Sequence, residues 1–290
     1  MKKEYVLVTP AHNEEKFIGQ VIESVIAQTI LPKKWVIVDD ASDDKTSEIV
    51  ERYQRKYGFI ELYKLKRTNV KSYYSRRTEV FLTGYDKVRH IEHDFVAALD
   101  GDLTFLPDYY ENIFREFDGN PRLGVASGIY VDDIDGRHRK IVRSDISTSG
   151  GMQVFRRECY EQIGGYKPLR YGADDSLAEY TARMKGWQTR SFPAYVAVHH
   201  RPTGTRGKTN IVKVRFRQGV SDYYLGSHVV FVLAKSLRRC FVEMPLIIGG
   251  LARICGFLSG YFSNYGREVP KDVVKYIRKE QMGRLLGVKV

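Results

Sequence analysis

The sequence predicts an α/β fold, with a mainly parallel central sheet and flanking helices, plus a C-terminal helical section. Two observations lead to this prediction. Short apolar runs alternate with amphipathic segments over about the first 100 residues, and the composition changes abruptly after residue 200. With 43% hydrophobic and 28% charged residues, the 290-residue chain has a globular composition, which excludes a largely disordered, collagen-like or coiled-coil protein.

The predicted strands and helices alternate in chain order. Strands are predicted at residues 5–8, 35–38, 59–63 and 95–99, and the charge-free run at 5–8 is typical of a strand buried on both faces. A first helix is predicted by apolar residues at helical spacing, namely Ile18, Val21, Ile22 and Val25. Further helices are predicted at 45–57 and at about 73–88. Parallel strands joined in this way bind their ligands beyond the carboxyl ends of the strands, so the segments that follow the strands are the candidates for a site.

Polar clusters follow three of these strands, at residues 9–15, 39–44 and 100–102. Each cluster alone is compatible with an ordinary helix cap or turn, because Asp, Asn and Ser are common in both. Carboxylates grouped at one edge of a sheet, however, repel one another unless a cation or hydrogen-bond donors compensate. Their coincidence therefore favours a binding site.

The segment Asp100-Gly101-Asp102 gives the strongest chemical indication. Its two carboxylates lie on either side of a glycine that lets the backbone turn tightly. Directly after a buried strand, such carboxylates can hold Mg²⁺ or Mn²⁺ and leave other positions to the oxygens of a diphosphate. Two aspartates separated by one residue are common by chance, so the indication comes from their position directly after a buried strand.

The order of the motifs resembles that of the family 2 glycosyltransferases, which have a Rossmann-like GT-A fold and use nucleotide-sugar donors. The resemblance extends from about residue 5 to about residue 204. The motifs are TPAHNEE at 9–15, VDDASDDKT at 38–46, LDGD at 99–102, SGGMQVFRRECYEQIGGY at 149–166, GADD at 172–175 and VAVHH at 196–200. The resemblance implies a GT-A catalytic domain at 1–205, followed by a separate section at 206–290.

Residues after the first, second and fourth strands and on the third helix are implied to bind the nucleotide. They are Thr9, Pro10, Ala11, Asn13, Glu14, Asp39, Arg76, Asp100 and Gly101. Asp39 is expected to accept a hydrogen bond from the base. Arg77 matches the helix position less well than Arg76, and a solvated helix face is the alternative for both. His12 departs from the family pattern, in which an aromatic residue is common.

A Mn²⁺ or Mg²⁺ site is also implied by the resemblance. Its expected ligands are Asp102 and a histidine after the last strand of the sheet, either His199 or His200. Because neighbouring residues on a strand point to opposite faces, only one of the two histidines is expected to reach the metal, and the motif favours His199.

The resemblance implies a metal-dependent, inverting transfer to a hydroxyl of a glycan or lipid-linked acceptor. A UDP-sugar donor is favoured, with GDP- and dTDP-sugars as alternatives. Inversion needs a base for the acceptor proton, and by similarity Asp175 is the expected base with Asp174 beside it. A helix N-cap is the alternative for either aspartate. Gly150, Gly151 and Met152 are expected to form the wall of the sugar and acceptor site.

The net charge of +12 lies in the last part of the chain. Residues 201–290 contain 17 Lys and Arg against 5 Asp and Glu, so the first 200 residues are neutral overall. The basic stretch at 201–217, which includes Arg206 and Lys208, is expected to form a loop beside the active-site mouth, with a solvated loop as the alternative. An apolar helical stripe follows, made of Val229, Val232, Leu233, Leu237, Cys240 and Met244.

A strongly apolar stretch at 244–262 comes next, bounded by Glu243 and interrupted by Arg253. These charges leave too few uncharged residues for a membrane-spanning helix. We expect the section to lie on an anionic membrane surface, with apolar side chains in the lipid and Lys and Arg towards the headgroups. Packing on the catalytic domain, or on a second copy in a homodimer, is the alternative.

Cysteine usage and the N-terminus suggest a location. Three cysteines argue against a disulfide framework, and the N-terminal apolar run is too short for a signal peptide. A cytoplasmic protein, peripheral on the inner face of the cell membrane, is therefore expected.

Two other functional classes are the alternatives. A nucleotidyltransferase is expected to carry a Gly-rich phosphate loop after the first strand, and TPAHNEE lacks one. A basic nucleic-acid or membrane-binding module without catalysis is the other class. Nucleic-acid binding does not need apolar runs such as 244–262, so no nucleic-acid partner is expected.

Overall fold

The computed structural model describes residues 3–66, 73–134, 137–140, 144–201, 210–263 and 265–288. Arg206, Lys208 and the predicted domain boundary between residues 205 and 206 lie outside these ranges. The described residues form a nine-stranded sheet flanked by helices and followed by further helices, which confirms the predicted fold class.

The strands are β1 Tyr5–Ala11, β2 Lys34–Asp39, β3 Ile60–Lys64, β4 Phe95–Ala98, β5 Leu103–Phe105, β6 Leu123–Ile134, β7 Arg137–Lys140, β8 Val154–Arg156 and β9 Gln188–His199. Their order in the sheet is β3-β2-β1-β4-β8-β6-β9-β5, and β7 pairs with β6. The first four strands are mutually parallel, as predicted. β8 runs antiparallel to β4 and β6, and β5 runs antiparallel to β9.

The helices are α1 Ile18–Ile26, α2 Thr46–Gln54, α3 Tyr73–Val88, α4 Tyr109–Gly119, α5 Arg157–Gln162, α6 Asp174–Met184, α7 Ile211–Tyr224, α8 Val229–Val242, α9 Ile248–Ser259 and α10 Lys271–Leu285. Short 3₁₀ turns lie at Gly150–Met152 and Gly260–Phe262. The second helix is shorter than predicted and begins after Asp44, whose Oδ1 accepts a hydrogen bond from the Thr46 N–H at 2.9 Å.

Alternation along the strands builds a core on each face of the sheet. Tyr5 and Leu7 face one core, with Trp35 and Phe95, whereas Val6 and Val8 face the other, with Phe81. Burial on both faces explains why β1 and β4 carry no charged side chains. The sheet is thus fixed from both sides, and the loops after its strands are held on a rigid base.

The C-terminal helices pack on one another and on helix α6. Helices α7 and α9 cross closely at Gly219, which has no side chain. A Cβ atom at this position would lie only 1.9 Å from the carbonyl oxygen of Arg253. Helix α10 joins this section to α6 through an apolar cluster that includes Leu177, Tyr180 and Ile277. Within the described parts of the chain, no helix combines the length and the apolar character needed to cross a bilayer.

Candidate active site

The loops after β1 and β2 are tied together at the edge of the sheet. The Asn13 N–H donates to Ser42 Oγ at 2.9 Å, and the Glu14 N–H donates to Thr46 Oγ1 at 2.7 Å. The Asp39 carboxylate accepts hydrogen bonds from the N–H and the hydroxyl of Ser42, at 2.9 and 2.6 Å. These bonds fix both loops, so this part of the edge is preorganised to receive a ligand.

Thr9, Pro10 and Ala11, three of the implied nucleotide-binding residues, lie inside β1 and are buried. The Thr9 hydroxyl oxygen accepts a hydrogen bond from Trp35 Nε1 at 3.0 Å, so its side chain is part of the core. These three residues therefore form the buried end of β1 from which the loop containing Asn13 begins. Asn13, by contrast, lies in the loop with a positive φ of 54° and is exposed.

The two arginines on α3 reach different carboxylates. Arg76 Nε donates to both oxygens of Asp40, at 2.9 and 3.0 Å. Arg77 Nη2 donates to Asp100 Oδ1 at 2.7 Å and to the carbonyl oxygen of Gly150 at 3.1 Å. It is therefore Arg77, the weaker match in the sequence, that contacts the Asp100-Gly101-Asp102 segment.

Asp102 lies at the centre of an ionic cluster that joins four segments of the chain. His199 Nε2 is 3.3 Å from Asp102 Oδ2, and Arg201 Nε donates to the same oxygen at 2.7 Å. Arg201 Nη2 also donates to both oxygens of Glu14, whose side chain is completely buried, at 2.6 and 2.7 Å. On the other side, His199 Nδ1 is 2.8 Å from Asp132 Oδ1.

The cluster determines the charge states of its members. Burial alone would raise the pKa of Asp102, but the hydrogen bond from His199 and the charges of His199 and Arg201 hold that pKa well below its usual range. Burial opposes protonation of His199 as well, yet its bonds with Asp102 and Asp132 raise the pKa of His199 to about 10. Asp102 is consequently a carboxylate at neutral pH.

His200 points away from this cluster. Its Nε2 is 2.8 Å from Thr104 Oγ1, and its ring stacks on Phe17 with the centroids 5.8 Å apart. The alternation expected along the strand therefore separates the two histidines, with His199 beside Asp102.

Asp102 and His199 could hold a divalent cation once His199 has lost the proton that it shares with Asp102, because a metal-binding imidazole must be neutral. Two neighbouring ligands of Mg²⁺ or Mn²⁺ are about 3 Å apart, and the two facing atoms are 3.3 Å apart. Asp132 holds the other ring nitrogen, as carboxylates commonly do behind a metal-binding histidine. Within the described part of the chain, no group of three or more His, Cys, Asp and Glu side chains is arranged so that it could hold a metal ion. A cation held by these two side chains would have positions left for phosphate oxygens and water.

Gly150 and Gly151 lie against two further acidic residues of the site, Asp175 and Asp100. A Cβ atom on Gly150 would lie 2.2 Å from Asp175 Oδ2, and one on Gly151 would lie 2.6 Å from Asp100 Oδ2. The Asp100 N–H donates to the carbonyl oxygen of Gly151 at 2.7 Å, and Met152 is buried beneath the turn. Only glycine leaves room for both carboxylates at this wall.

Asp174 and Asp175 form the first turn of α6 and differ in burial. Asp174 is 9% exposed and accepts a hydrogen bond from the Thr78 hydroxyl at 2.6 Å. Burial, together with the negative charge of Asp175, raises the pKa of Asp174. Asp175 is half-buried, and its Oδ1 accepts from the Ser176 N–H at 2.7 Å. Asp175 is the member of the pair that remains accessible.

Glu179, one turn along α6, supports the glycine wall and was not predicted from the sequence. Its Oε1 accepts hydrogen bonds from the N–H and the hydroxyl of Thr148, at 2.6 and 2.5 Å. Burial raises the pKa of Glu179 to about 7, against the opposing charge of Arg183. The helical spacing of GADDSLAEY offered a signal, because it places a second acidic residue four positions after Asp175.

Glu179→Gln is expected to change how stability depends on pH. The folded-state pKa of about 7 lies above the ordinary 4.5, so the stability conferred by protonation is present below about pH 4.5 and is lost as the pH rises towards 7. The free energy of unfolding of the wild type, relative to Glu179→Gln, should fall by about 3 kcal/mol over this range. Denaturant unfolding at several pH values measures this. Glu158→Gln, at an exposed position, is the control, and equal pH profiles for all three proteins would contradict the expectation.

Sequence comparison identifies a related family. A profile described as "Glycosyl transferase family 2" matches residues 6–177 of this chain. Among curated proteins, the chain is similar to a glucosyl-dolichyl phosphate glucuronosyltransferase of Haloferax volcanii, with 27% identity over 191 residues, or 57% of this chain. The match spans 56% of the length of that relative, about half of it.

Structural comparison extends over nearly the whole chain. The mannosyltransferase PcManGT from Pyrobaculum calidifontis, solved with GDP-Man and Mn²⁺, is similar with a TM-score of 0.57 and 17% identity, covering 97% of this chain and 85% of that one. Residues 1–349 of TarS from S. aureus, solved with UDP-GlcNAc, give a TM-score of 0.53 and 15% identity, covering 98% and 92%. The expected GT-A fold is thereby confirmed.

Proposed function

This chain belongs to glycosyl transferase family 2, and we propose that it moves a sugar from a nucleotide-diphosphate sugar to a hydroxyl group of a glycan or lipid-linked acceptor, with inversion. One observation carries the proposal. The Asp102–His199 pair and the accessible Asp175 are joined through Asp100 and the Gly150 and Gly151 wall, so a site for a diphosphate lies next to a base.

The donor is proposed to bind along the edge of the sheet from the β2 loop to Asp102. The nucleoside lies against the fixed loops that contain Asn13 and Asp39, and the diphosphate extends towards Asp102. A UDP-sugar is favoured, with GDP- and dTDP-sugars as alternatives; the complexes of TarS with UDP-GlcNAc and of PcManGT with GDP-Man support this donor class. Arg77 orders Asp100 at the junction between the diphosphate and the sugar.

Asp102 and His199 are proposed to hold Mn²⁺ or Mg²⁺. When bound, the cation neutralises the negative charge that develops on the departing diphosphate, so no acid is needed for the leaving group. Asp132 keeps the His199 ring in position, and the Glu14 carboxylate accepts a hydrogen bond from Arg201. The Mn²⁺ in the PcManGT complex supports this assignment.

Asp175 is proposed to be the catalytic base. The acceptor oxygen attacks the anomeric carbon from the face opposite the diphosphate, the bond from that carbon to the diphosphate oxygen breaks, and the hydroxyl proton passes to Asp175. Asp174 is proposed to position its neighbour, because it is buried and bonded to Thr78. Gly150 and Gly151 are half-buried at the same wall, close to Asp175 and Asp100, which supports a sugar site beside these carboxylates.

We also propose that the protein works at the inner face of the cell membrane, bound to an anionic surface. Helices α8 and α9 each expose an apolar stripe at helical spacing. The stripe of α8 is Val230, Leu233, Leu237 and Phe241, and that of α9 with its 3₁₀ turn is Ile248, Leu251, Leu258 and Phe262. Exposed apolar surface of this extent, with a basic side chain such as Arg238 exposed on α8, is typical of proteins that lie in a membrane interface.

A membrane contact through these stripes is compatible with a lipid-linked acceptor, because it would hold the protein at the surface in which such an acceptor is anchored. The dolichyl phosphate substrate named for the Haloferax volcanii relative supports this acceptor class. A homodimer through the two stripes is the alternative, and sedimentation velocity without lipid distinguishes them: the membrane proposal expects a monomer.

Release of nucleoside diphosphate from a panel of UDP-, GDP- and dTDP-sugars tests the proposed activity. With Mn²⁺ and membrane lipid extract as acceptor source, at least one donor should be consumed, and the product should carry the inverted anomeric configuration. No consumption of any donor, or a retained configuration, would contradict the proposal. Formation of pyrophosphate from a nucleoside triphosphate would favour a nucleotidyltransferase instead.

A further inference from the structure

A second, basic pocket lies in the C-terminal helical section, away from the acidic edge of the sheet. It is open, has a volume of about 620 Å³, and lies between the end of α7, residues 265–269 and α10. Its polar lining comes from six side chains: Tyr223, Tyr265, Arg267, Lys271, Lys275 and Arg278. Among the described residues, no Asp or Glu lines it.

Four cations of this pocket have no acidic partner in the described part of the chain. Lys271, Lys275 and Arg278 lie on one face of α10, at spacings of four and three residues. Arg267 stacks over the Tyr223 ring at 4.3 Å, and its Nε donates to the Tyr223 carbonyl oxygen at 2.9 Å. This contrasts with Arg201 and Arg183, which are each paired with carboxylates.

The nearest acidic residues in the sequence do not neutralise the pocket. Glu268 accepts a hydrogen bond from the Arg170 N–H at 2.9 Å, and neither Glu268 nor Asp272 lines the pocket. Arg278 and Arg267 are both fixed by backbone carbonyls, since Arg278 Nε donates to the Gly226 oxygen at 3.0 Å. The pocket is therefore an ordered concentration of positive charge that suits an anion with several acceptor oxygens.

An aromatic contact connects the pocket to the exposed apolar surface. The Tyr223 ring, which lines the pocket, packs against Tyr261 with the centroids 4.8 Å apart. Tyr261 is 55% exposed and its neighbour Phe262 is 88% exposed, at the end of the α9 stripe. A ligand with a phosphate and an adjoining apolar part would fit both features at once.

We infer that this pocket binds the phosphate of an anionic phospholipid headgroup, with Tyr261 and Phe262 in the acyl region beside it. The inference rests on the proposed membrane contact and adds the site that selects the lipid. Basic pockets beside interfacial helices recognise headgroups by charge, and the adjacent aromatic side chains favour a lipid over free phosphate.

Vesicle sedimentation with the full chain tests the inference. Vesicles of phosphatidylglycerol mixed with phosphatidylcholine are compared with vesicles of phosphatidylcholine alone. The double variant Lys271→Glu and Lys275→Glu reverses two exposed charges of the pocket and is expected to weaken binding to the anionic vesicles at least about ten-fold. The matched control, Lys185→Glu and Lys279→Glu, makes the same charge change at exposed positions outside the lining and should weaken it less than about three-fold.

A second variant separates lipid from free phosphate. Phe262→Ser should weaken binding to both kinds of vesicle, because an exposed ring leaves the acyl region. Inorganic phosphate should not displace the wild type. If phosphate releases it and Phe262→Ser binds normally, the lipid assignment is wrong.

The outcomes for the pocket and for the membrane contact are distinct. If the pocket variant binds as the wild type does, the pocket assignment fails and the membrane contact stands. If the wild type binds neither kind of vesicle, both fail. The release of nucleoside diphosphate in solution should be the same in the wild type and the pocket variant, so neither failure affects the proposed transfer activity.

Discussion

Asp175→Asn is expected to lower the rate of sugar transfer by about 10²–10⁴-fold, the usual contribution of a general base. The amide keeps the size of the side chain and can still accept the hydrogen bond from the Ser176 N–H. It cannot take the acceptor proton, however, so the chemical step fails while the donor site is unchanged. Steady-state kinetics with the donor identified by the panel measures the effect.

Donor binding provides the internal check on this variant. The dissociation constant of the donor should stay within about two-fold of the wild type, because Asp175 acts in the transition state rather than in binding. Asp86→Asn, on the exposed face of α3, is the matched control and should be fully active. Wild-type transfer by Asp175→Asn would remove this residue as the base, and loss of donor binding would make it a structural residue.

Asp102→Asn is expected to lower metal-dependent transfer at least about 10²-fold, because a carboxylate ligand of the cation is lost. The variant should fold, since Arg201 keeps its two bonds to Glu14 and His199 keeps Asp132. Mn²⁺ affinity in the presence of the nucleoside diphosphate, followed by the paramagnetic resonance of free Mn²⁺, should fall to a similar degree.

A structural role of Asp102 predicts a different pattern. Its loss would then lower the unfolding temperature and leave the Mn²⁺ affinity of the folded protein unchanged. Metal-independent transfer by the wild type would contradict the cation site altogether. Asp86→Asn again serves as the control and should bind Mn²⁺ as the wild type does.

The parallel half of the fold could be predicted because β1, β2 and β4 are buried on both faces and therefore have a simple apolar pattern. Strand β6 did not show this pattern. It carries Asp132 and Asp133, which make it look like a turn. Asp132 is buried all the same, because His199 from β9 lies beside it. A charge that is stabilised by a partner 67 residues away cannot be recognised from its local sequence.

The arginines of the site illustrate a second limit. Arg76 and Arg77 are neighbours on α3, and the sequence cannot tell which turns towards the acidic loop, because one residue is a rotation of about 100° on a helix. The structure pairs Arg76 with Asp40 and Arg77 with Asp100. Arg201 was expected only as part of a basic loop, whereas it binds both Asp102 and Glu14, and Glu14 lies 187 residues earlier in the chain.

The apolar stripe predicted on α8 divides into two faces. Val232 and Cys240 are buried against neighbouring helices, whereas Leu233 and Leu237 are exposed. Met244, the last residue of the predicted stripe, is exposed and lies beyond the end of α8 at Val242. Apolar spacing correctly indicated a helix. It could not separate the face that packs on protein from the face that remains open, because both are apolar and lie next to each other on the helix.

Thermal unfolding with nucleotide sugars tests the central claim most directly, namely that the acidic edge of the sheet binds a nucleotide sugar together with a divalent cation. A donor at about 100 times its dissociation constant stabilises the folded state by about 2.7 kcal/mol, so the unfolding temperature of the wild type should rise by several degrees with Mn²⁺ present. The rise should disappear without the metal and in Asp102→Asn. An equal rise in Asp102→Asn, or none with any donor in the wild type, would contradict the claim.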